Sequence, residues 1–292
     1  MPKRLSAALS LLALALALVV SACGGSDDKS GDLLSSIEDK GVLTVSTDPA
    51  YPPASQLNKD TGKYEGFDID VATEIAKRLG VDVAWKTPGW DTITAGNWSG
   101  RWDVSVGSMT ITPERSEVLY FTQPYYYTPA SVAVNTDNTT ITDPAQLSGK
   151  KIGVGVATTY DSYLEGKLSL EDENGDSQAI PSVITDPSVR TYETDALALQ
   201  DLSLGDGQRL DGAITATPIV QGAIDSDSHV KIIGKPLYYE PLAVAADRSS
   251  ELDSQTLVDK ISDIIAEMHQ DGTLSKLSKK WYGADLTVKA TQ

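Results

Sequence analysis

The chain has 292 residues, and 41 acidic against 24 basic side chains give it a formal charge of −17 at pH 7. That surplus repels phosphate backbones and argues against nucleic acid as a partner. One cysteine and two histidines leave no material for a disulfide framework, a zinc cluster or a Cys–His nucleophilic site, and the length predicts two compact bodies rather than one.

Lys3 and Arg4 precede an apolar run, Leu5 to Val20, broken only by Ser6 and Ser10. It is shorter than a membrane-spanning helix and has the composition of an export signal covering residues 1–22. The run ends in Val20, Ser21, Ala22, Cys23, which resembles the lipobox of bacterial lipoproteins. The resemblance implies cleavage before Cys23, acylation of that cysteine and an extracytoplasmic chain anchored to the cell membrane by lipid. Residues 23–36 are expected to form the lipidated start and a flexible tether, since Gly24 to Gly31 has nothing to bury.

Val42 to Ser46 reads as a strand, stopped by the segment Asp48, Pro49, Ala50, Tyr51, Pro52, Pro53. A turn over Asn58 to Lys63 leads to a helix from Val71 to Leu79, capped by Asp70 and ended by Gly80. A strand at Val81 to Trp85, a helix over Trp90 to Trp98 and a strand at Trp102 to Val106 continue the alternation expected around a parallel sheet. The rhythm resumes with a strand at Lys151 to Val156, a helix over Thr158 to Leu164, a helix over Asp195 to Leu204 and a strand at Leu210 to Ile214. Tyr127 to Val134 and Tyr238 to Val244 are extended runs placed to cross between two lobes. Lobe one would then comprise 37–128 plus 239–292, and lobe two 129–238. A C-terminal helix, Asp253 to Met268, presents an apolar stripe to lobe one. Glu171 to Asp176 and Gly205 to Gly207 read as solvated insertions. Asp225 to His229 begins like a calcium loop, but Val230 stands where glycine is needed and Pro236 where the last acid belongs, so it reads as a surface turn.

Four segments in order, Gly41 to Pro53, Gly66 to Gly80, Trp102 to Tyr126 and Gly272 to Gly283, resemble the polar amino-acid-binding family of extracellular solute receptors. The resemblance implies an α/β fold: a two-lobed periplasmic-binding-protein architecture with mixed sheets, a double-strand hinge and a ligand cleft between the lobes. It also implies a monomer that takes an amino acid or related small carboxylate and delivers it to the permease of an ATP-driven importer. No cofactor is expected.

Arg115 carries the most weight among the candidate site residues, because a planar guanidinium can grip a carboxylate through two parallel hydrogen bonds. In the family the matching arginine holds the ligand's α-carboxylate; the alternative is a salt bridge to Glu114 or Glu117. Ser108, Met109 and Thr110 would join it with hydroxyl and backbone contacts. From lobe two, Ala157, Thr158 and Thr159 open a helix whose amides would attract the same carboxylate, although either threonine could simply cap that helix. Tyr51 and Trp90 stand at the family's aromatic positions flanking the ligand, and Asp48 is either a side-chain-reading acid or a loop cap. The sequence departs from the family at Ala216, where an aspartate usually pairs the ligand's ammonium. Either Asp161, Glu193 or Asp195 takes that role, or the ligand lacks a free α-ammonium. Two rival functions share the fold: a cyclohexadienyl or arogenate dehydratase using Asp48, Asp161 or Glu193 as its acid, and a sensory binding module.

Overall fold

The computed structural model describes residues 31–172 and 174–289. The expected export signal and Cys23 lie outside the described residues. In chain order the elements are α1 (Leu33–Lys40), β1 (Val42–Ser46), β2 (Ala50–Tyr51), β3 (Ser55–Asn58), β4 (Lys63–Glu65), α2 (Phe67–Leu79), β5 (Asp82–Lys86), α3 (Trp90–Thr94), β6 (Val104–Thr110), α4 (Pro113–Ser116) and β7 (Leu119–Phe121). There follow β8 (Tyr126–Asn135), β9 (Lys151–Gly155), α5 (Thr159–Leu164), β10 (Ser169–Glu171), β11 (Ser177–Ala179), β12 (Ser188–Tyr192), α6 (Asp195–Ser203), β13 (Gly212–Ala216), α7 (Thr217–Asp225), β14 (Val230–Asp247), α8 (Gln255–Gln270) and α9 (Thr273–Tyr282).

Two parallel groups of strands are joined by two long antiparallel ones. The sheet runs β12-β9-β13-β8-β14-β6-β1-β5, with β7 on β14. The long strand β14 pairs with β8 through both groups, its register shifting between Ile233 and Tyr238. Strand β13 lies on β8 in one half, and β6 lies on β14 in the other. The two crossing strands anticipated from sequence are therefore present, and the second is longer than its apolar core because Val230–Ile233 extends the pairing. Each half has its own core. Leu43, Val45, Phe67, Ile75, Ile261 and Met268 belong to the first, and Val132, Leu147, Ile152, Val154, Tyr163 and Ile214 to the second.

Three local expectations are corrected. Residues 31–36 are not tether: the Asp32 carboxylate caps α1 by accepting from the Leu34 and Ser35 amides, and Leu33 and Ile37 are buried in the first core. Helix α2 starts one turn before Asp70. Its Phe67 and Asp68 amides donate to the Pro53 and Ala54 carbonyls at 3.2 and 2.8 Å, so no side-chain cap is needed, and Asp70 instead accepts from Lys280 Nζ and Trp281 Nε1. Gly66 is required at that junction: its φ is 136°, and a Cβ there would come within 2.2 Å of the Ala54 carbonyl oxygen. Finally, β6 continues to Thr110 rather than ending at Val106, because Met109 and Thr110 pair with Ala243 and Leu242 of β14.

Candidate functional site

A cleft opens between the two halves, at the C-terminal ends of the parallel strands where α/β sheets place ligands. It encloses about 500 Å³, its open mouth included. Asp48, Tyr51, Trp90, Ser108, Thr110 and Arg115 line it from one side, and Thr158, Thr159, Tyr160, Glu193 and Asp195 from the other, with Glu240 of β14 between them.

Arg115 sits on the single turn of α4, which Thr112 caps by accepting from the Arg115 amide. Its side chain is buried at 7% exposure. Nη1 donates to the Thr110 carbonyl and Nη2 to the Ala157 carbonyl, both at 2.9 Å, and the guanidinium lies 5.5 Å from the Trp90 ring centre. Among the described residues no carboxylate is within ion-pair distance of it, so the Glu114 or Glu117 salt bridge is not formed. A buried cation whose remaining donors face a cleft is arranged to receive an anion.

Ser108 lines the cleft, yet its polar groups point inward. Its hydroxyl donates to Asp68 Oδ2 at 2.7 Å and meets the Tyr126 hydroxyl, while its amide donates to the Tyr125 hydroxyl at 3.0 Å. Tyr125 in turn donates to Asp68 Oδ1 at 2.7 Å. This anchoring network holds Ser108 at φ 56° in the wall of the cleft. Met109 faces the other way, as strand alternation demands, and packs with Ile93, Trp98 and Leu119.

In the second half Thr158 caps α5 and also donates to the Gly155 carbonyl. The carbonyl of Ala157, a residue at φ 58°, accepts from both Arg115 and Trp90 Nε1, so this corner meets the first half through an acceptor, while Thr158 and Thr159 line the cleft. Asp161 is half-buried and outside the lining. Ala216 is also outside it: the residue is buried in the apolar cluster with Ala213 and Ile219 and serves as the N-cap of α7. Asp48 caps its loop, accepting from the Ala50 amide at 2.7 Å, and also lines the cleft.

Two acids dominate the interior. Asp195, first residue of α6, accepts from the Gly155 amide at 2.8 Å and the Thr215 hydroxyl at 2.6 Å. A Cβ on Gly155 would stand 2.5 Å from that carboxylate, which explains the glycine at the end of β9. Glu240 accepts from Thr110 Oγ1 at 2.8 Å and Tyr160 Oη at 2.9 Å, and from the Thr159 hydroxyl, thereby tying both halves to the crossing strand. Sequence reasoning missed Glu240, Tyr160 and Asp68. A lone acid inside the apolar run Tyr238 to Val244 was the available signal for the first.

Burial pushes Asp195 and Asp68 up to about 7; hydrogen bonds pull each down, and the negative charge of Asp48 adds to both rises. Burial likewise raises Glu240 and Asp48. The folded form then holds protons that the unfolded chain has released, so stability from these groups is full below the ordinary aspartate range and is lost as pH rises towards 7. The carboxylates held low, Asp271 and Asp285 among them, act in the opposite sense but only at more acid pH. The ligand-free protein should melt at a lower temperature at pH 8 than at pH 5.5, and Asp195→Asn should flatten that slope. Equal slopes in the two proteins would show that Asp195 ionises normally.

Residues 43–284 match the family described as bacterial extracellular solute-binding proteins, family 3. The chain is similar to the L-cystine-binding protein TcyJ of Escherichia coli strain K12, 32% identical over 286 residues with 96% of each chain covered. It is equally 32% identical to the L-cystine-binding protein TcyA of Bacillus subtilis strain 168, covering 94% of this chain and 98% of that one. Among solved structures it resembles the ancestral amino acid-binding protein AncCDT-1, a precursor of cyclohexadienyl dehydratase, with 29% identity, TM-score 0.72, and 85% and 99% of the two chains covered.

Proposed function

Since this chain belongs to family 3 of the bacterial extracellular solute-binding proteins, we propose that its extracytoplasmic capture of an amino acid or small carboxylate works by closure of two lobes around Arg115. Its role is binding rather than catalysis, and a small-molecule ligand with an importer permease as receiver fits that role. The lobes would be 37–128 plus 239–292 and 129–238, with α1 added to the first, flexing where β8 and β14 cross. Ligand would settle first against Arg115, Tyr51 and Trp90. The second half would then close on it, favouring the closed state by the extra contacts made there. Lipid on Cys23 would hold the receptor beside its importer.

The buried, unpaired guanidinium of Arg115, already touching the opposite half through the Ala157 carbonyl, carries this reading. Small-angle scattering of ligand-stripped protein tests it. Saturating ligand should lower the radius of gyration, and a bound protein whose scattering is unchanged would rule out closure as the mechanism.

A further inference from the structure

Helix α7 carries a glycine in its interior, Gly222, where that residue weakens a helix relative to alanine and where no positive φ calls for it. The reason for it lies in the opposite half. A Cβ on Gly222 would stand 3.3 Å from Pro53 Cδ, 3.5 Å from the Pro52 carbonyl oxygen and 3.9 Å from the Pro53 nitrogen, closer than anything else outside its own helix. The other glycines of the second half without a positive φ, Gly153, Gly155 and Gly212, instead face Leu210, Asp195 and Leu147 of their own half. Pro53 and Ala54 are fixed to the first half by the carbonyls that start α2. Ala54 is nevertheless fully buried among Leu199 of α6 and Ile219 and Val220 of α7. Beside this seat the two halves enclose a second crevice of about 1030 Å³, its open mouth included, which shares no lining residue with the ligand cleft. Pro52, Pro53 and Gln56 line it from one side, and α6, α7 and the turn after α7 from the other.

We infer that the loop of Pro52, Pro53 and Ala54, seated on Gly222, is a second closure contact outside the cleft, and that Gly222 sets ligand affinity without touching the ligand. This rests on the reading that the two halves close on a ligand, and it adds where, away from that ligand, the closed state gains contacts. When the halves part, the loop leaves α7 and apolar atoms on both sides meet water; when they close, burial there favours the closed form. A side chain at position 222 would stand free in the open form and strike the loop in the closed one. It would therefore disfavour closure, and affinity would fall with the population of the closed state.

Gly222→Leu and Gly222→Ala test this, with Gln221→Ala, on the exposed side of α7, as the control. The probe is whichever of the twenty standard L-amino acids raises the melting midpoint of the ligand-stripped parent most. Gly222→Leu should bind it roughly 5- to 150-fold more weakly, the range that overpacking a close contact gives. The loss should lie in faster dissociation rather than slower association. Gly222→Ala should move the same way by less, and it stands in should the leucine variant fail to fold. Without ligand, Gly222→Ala should melt about 1–3 °C above the parent, because a better helix former has replaced glycine. Weaker binding joined to higher stability is a pairing that packing within one half does not give. Gln221→Ala should bind as the parent does. Parental affinity in Gly222→Leu overturns the inference and leaves the receptor reading in place. So does an equal loss of affinity in Gln221→Ala, or a ligand-free midpoint in Gly222→Ala several degrees below the parent's. If no amino acid binds the parent, the receptor reading itself fails and the inference goes with it.

Discussion

Arg115→Ala should abolish useful binding of any carboxylate ligand while leaving the fold intact. In the free protein this guanidinium satisfies only two carbonyls, at Thr110 and Ala157, and supports no ion pair. Its loss therefore subtracts little from folding but leaves a ligand carboxylate closed into the cleft without a counter-charge. Breaking a buried pair in that way costs about 3–5 kcal/mol, or roughly 10²- to 10³-fold or more in affinity. Titration calorimetry reads the affinity, and a thermal melt reads the stability. Arg115→Lys should rescue only part of the loss, because an ammonium cannot reproduce the two parallel hydrogen bonds. Retained affinity in the alanine variant would place the site elsewhere.

Phe67→Ala should have the opposite profile, a large loss of stability. The ring is fully buried at the first residue of α2, with ring centres of Tyr126, Tyr282 and Tyr125 at 4.8, 5.1 and 5.9 Å. Truncating a buried phenylalanine costs about 3–5 kcal/mol. For a chain of this size that corresponds to a fall of roughly 6 to 20 °C in the melting midpoint. Affinity should weaken as a secondary effect, since Tyr125 and Tyr126 hold Ser108 at the wall of the cleft. A midpoint within a degree or two of the parent would mean that the cluster rearranges around the vacancy.

The alternation of strands and helices was legible because each element has a strong local signature: apolar runs such as Leu43 to Val45, prolines that stop pairing at Pro52 and Pro53, and glycines that end helices at Gly80. Element ends were less so. The start of α2 depends on carbonyls of Pro53 and Ala54 that a sequence window cannot place, and the end of β6 depends on pairing with β14, more than a hundred residues away. The same distinction runs through the site. Arg115, Tyr51, Trp90 and Asp48 stand out through a motif or a loop of unusual composition, and the structure brings them to one cleft. Met109 turns its side chain into the core through strand alternation, whereas Ser108 does line the cleft with its hydroxyl engaged by Asp68, forty residues earlier, a partner that no sequence window shows. Asp195 stood in the sequence as one of three candidate acids and Glu240 only as a lone acid in an apolar run; burial and three-dimensional company, which no sequence window shows, set both apart.

A crystal structure of the protein with its bound amino acid tests the central claim most directly. The account predicts a carboxylate about 2.7–2.9 Å from the Arg115 guanidinium, with Trp90 and Tyr51 against one side of the ligand and residues of α5 and α6 against the other. A ligand held away from Arg115, or touching only one half of the molecule, would contradict it.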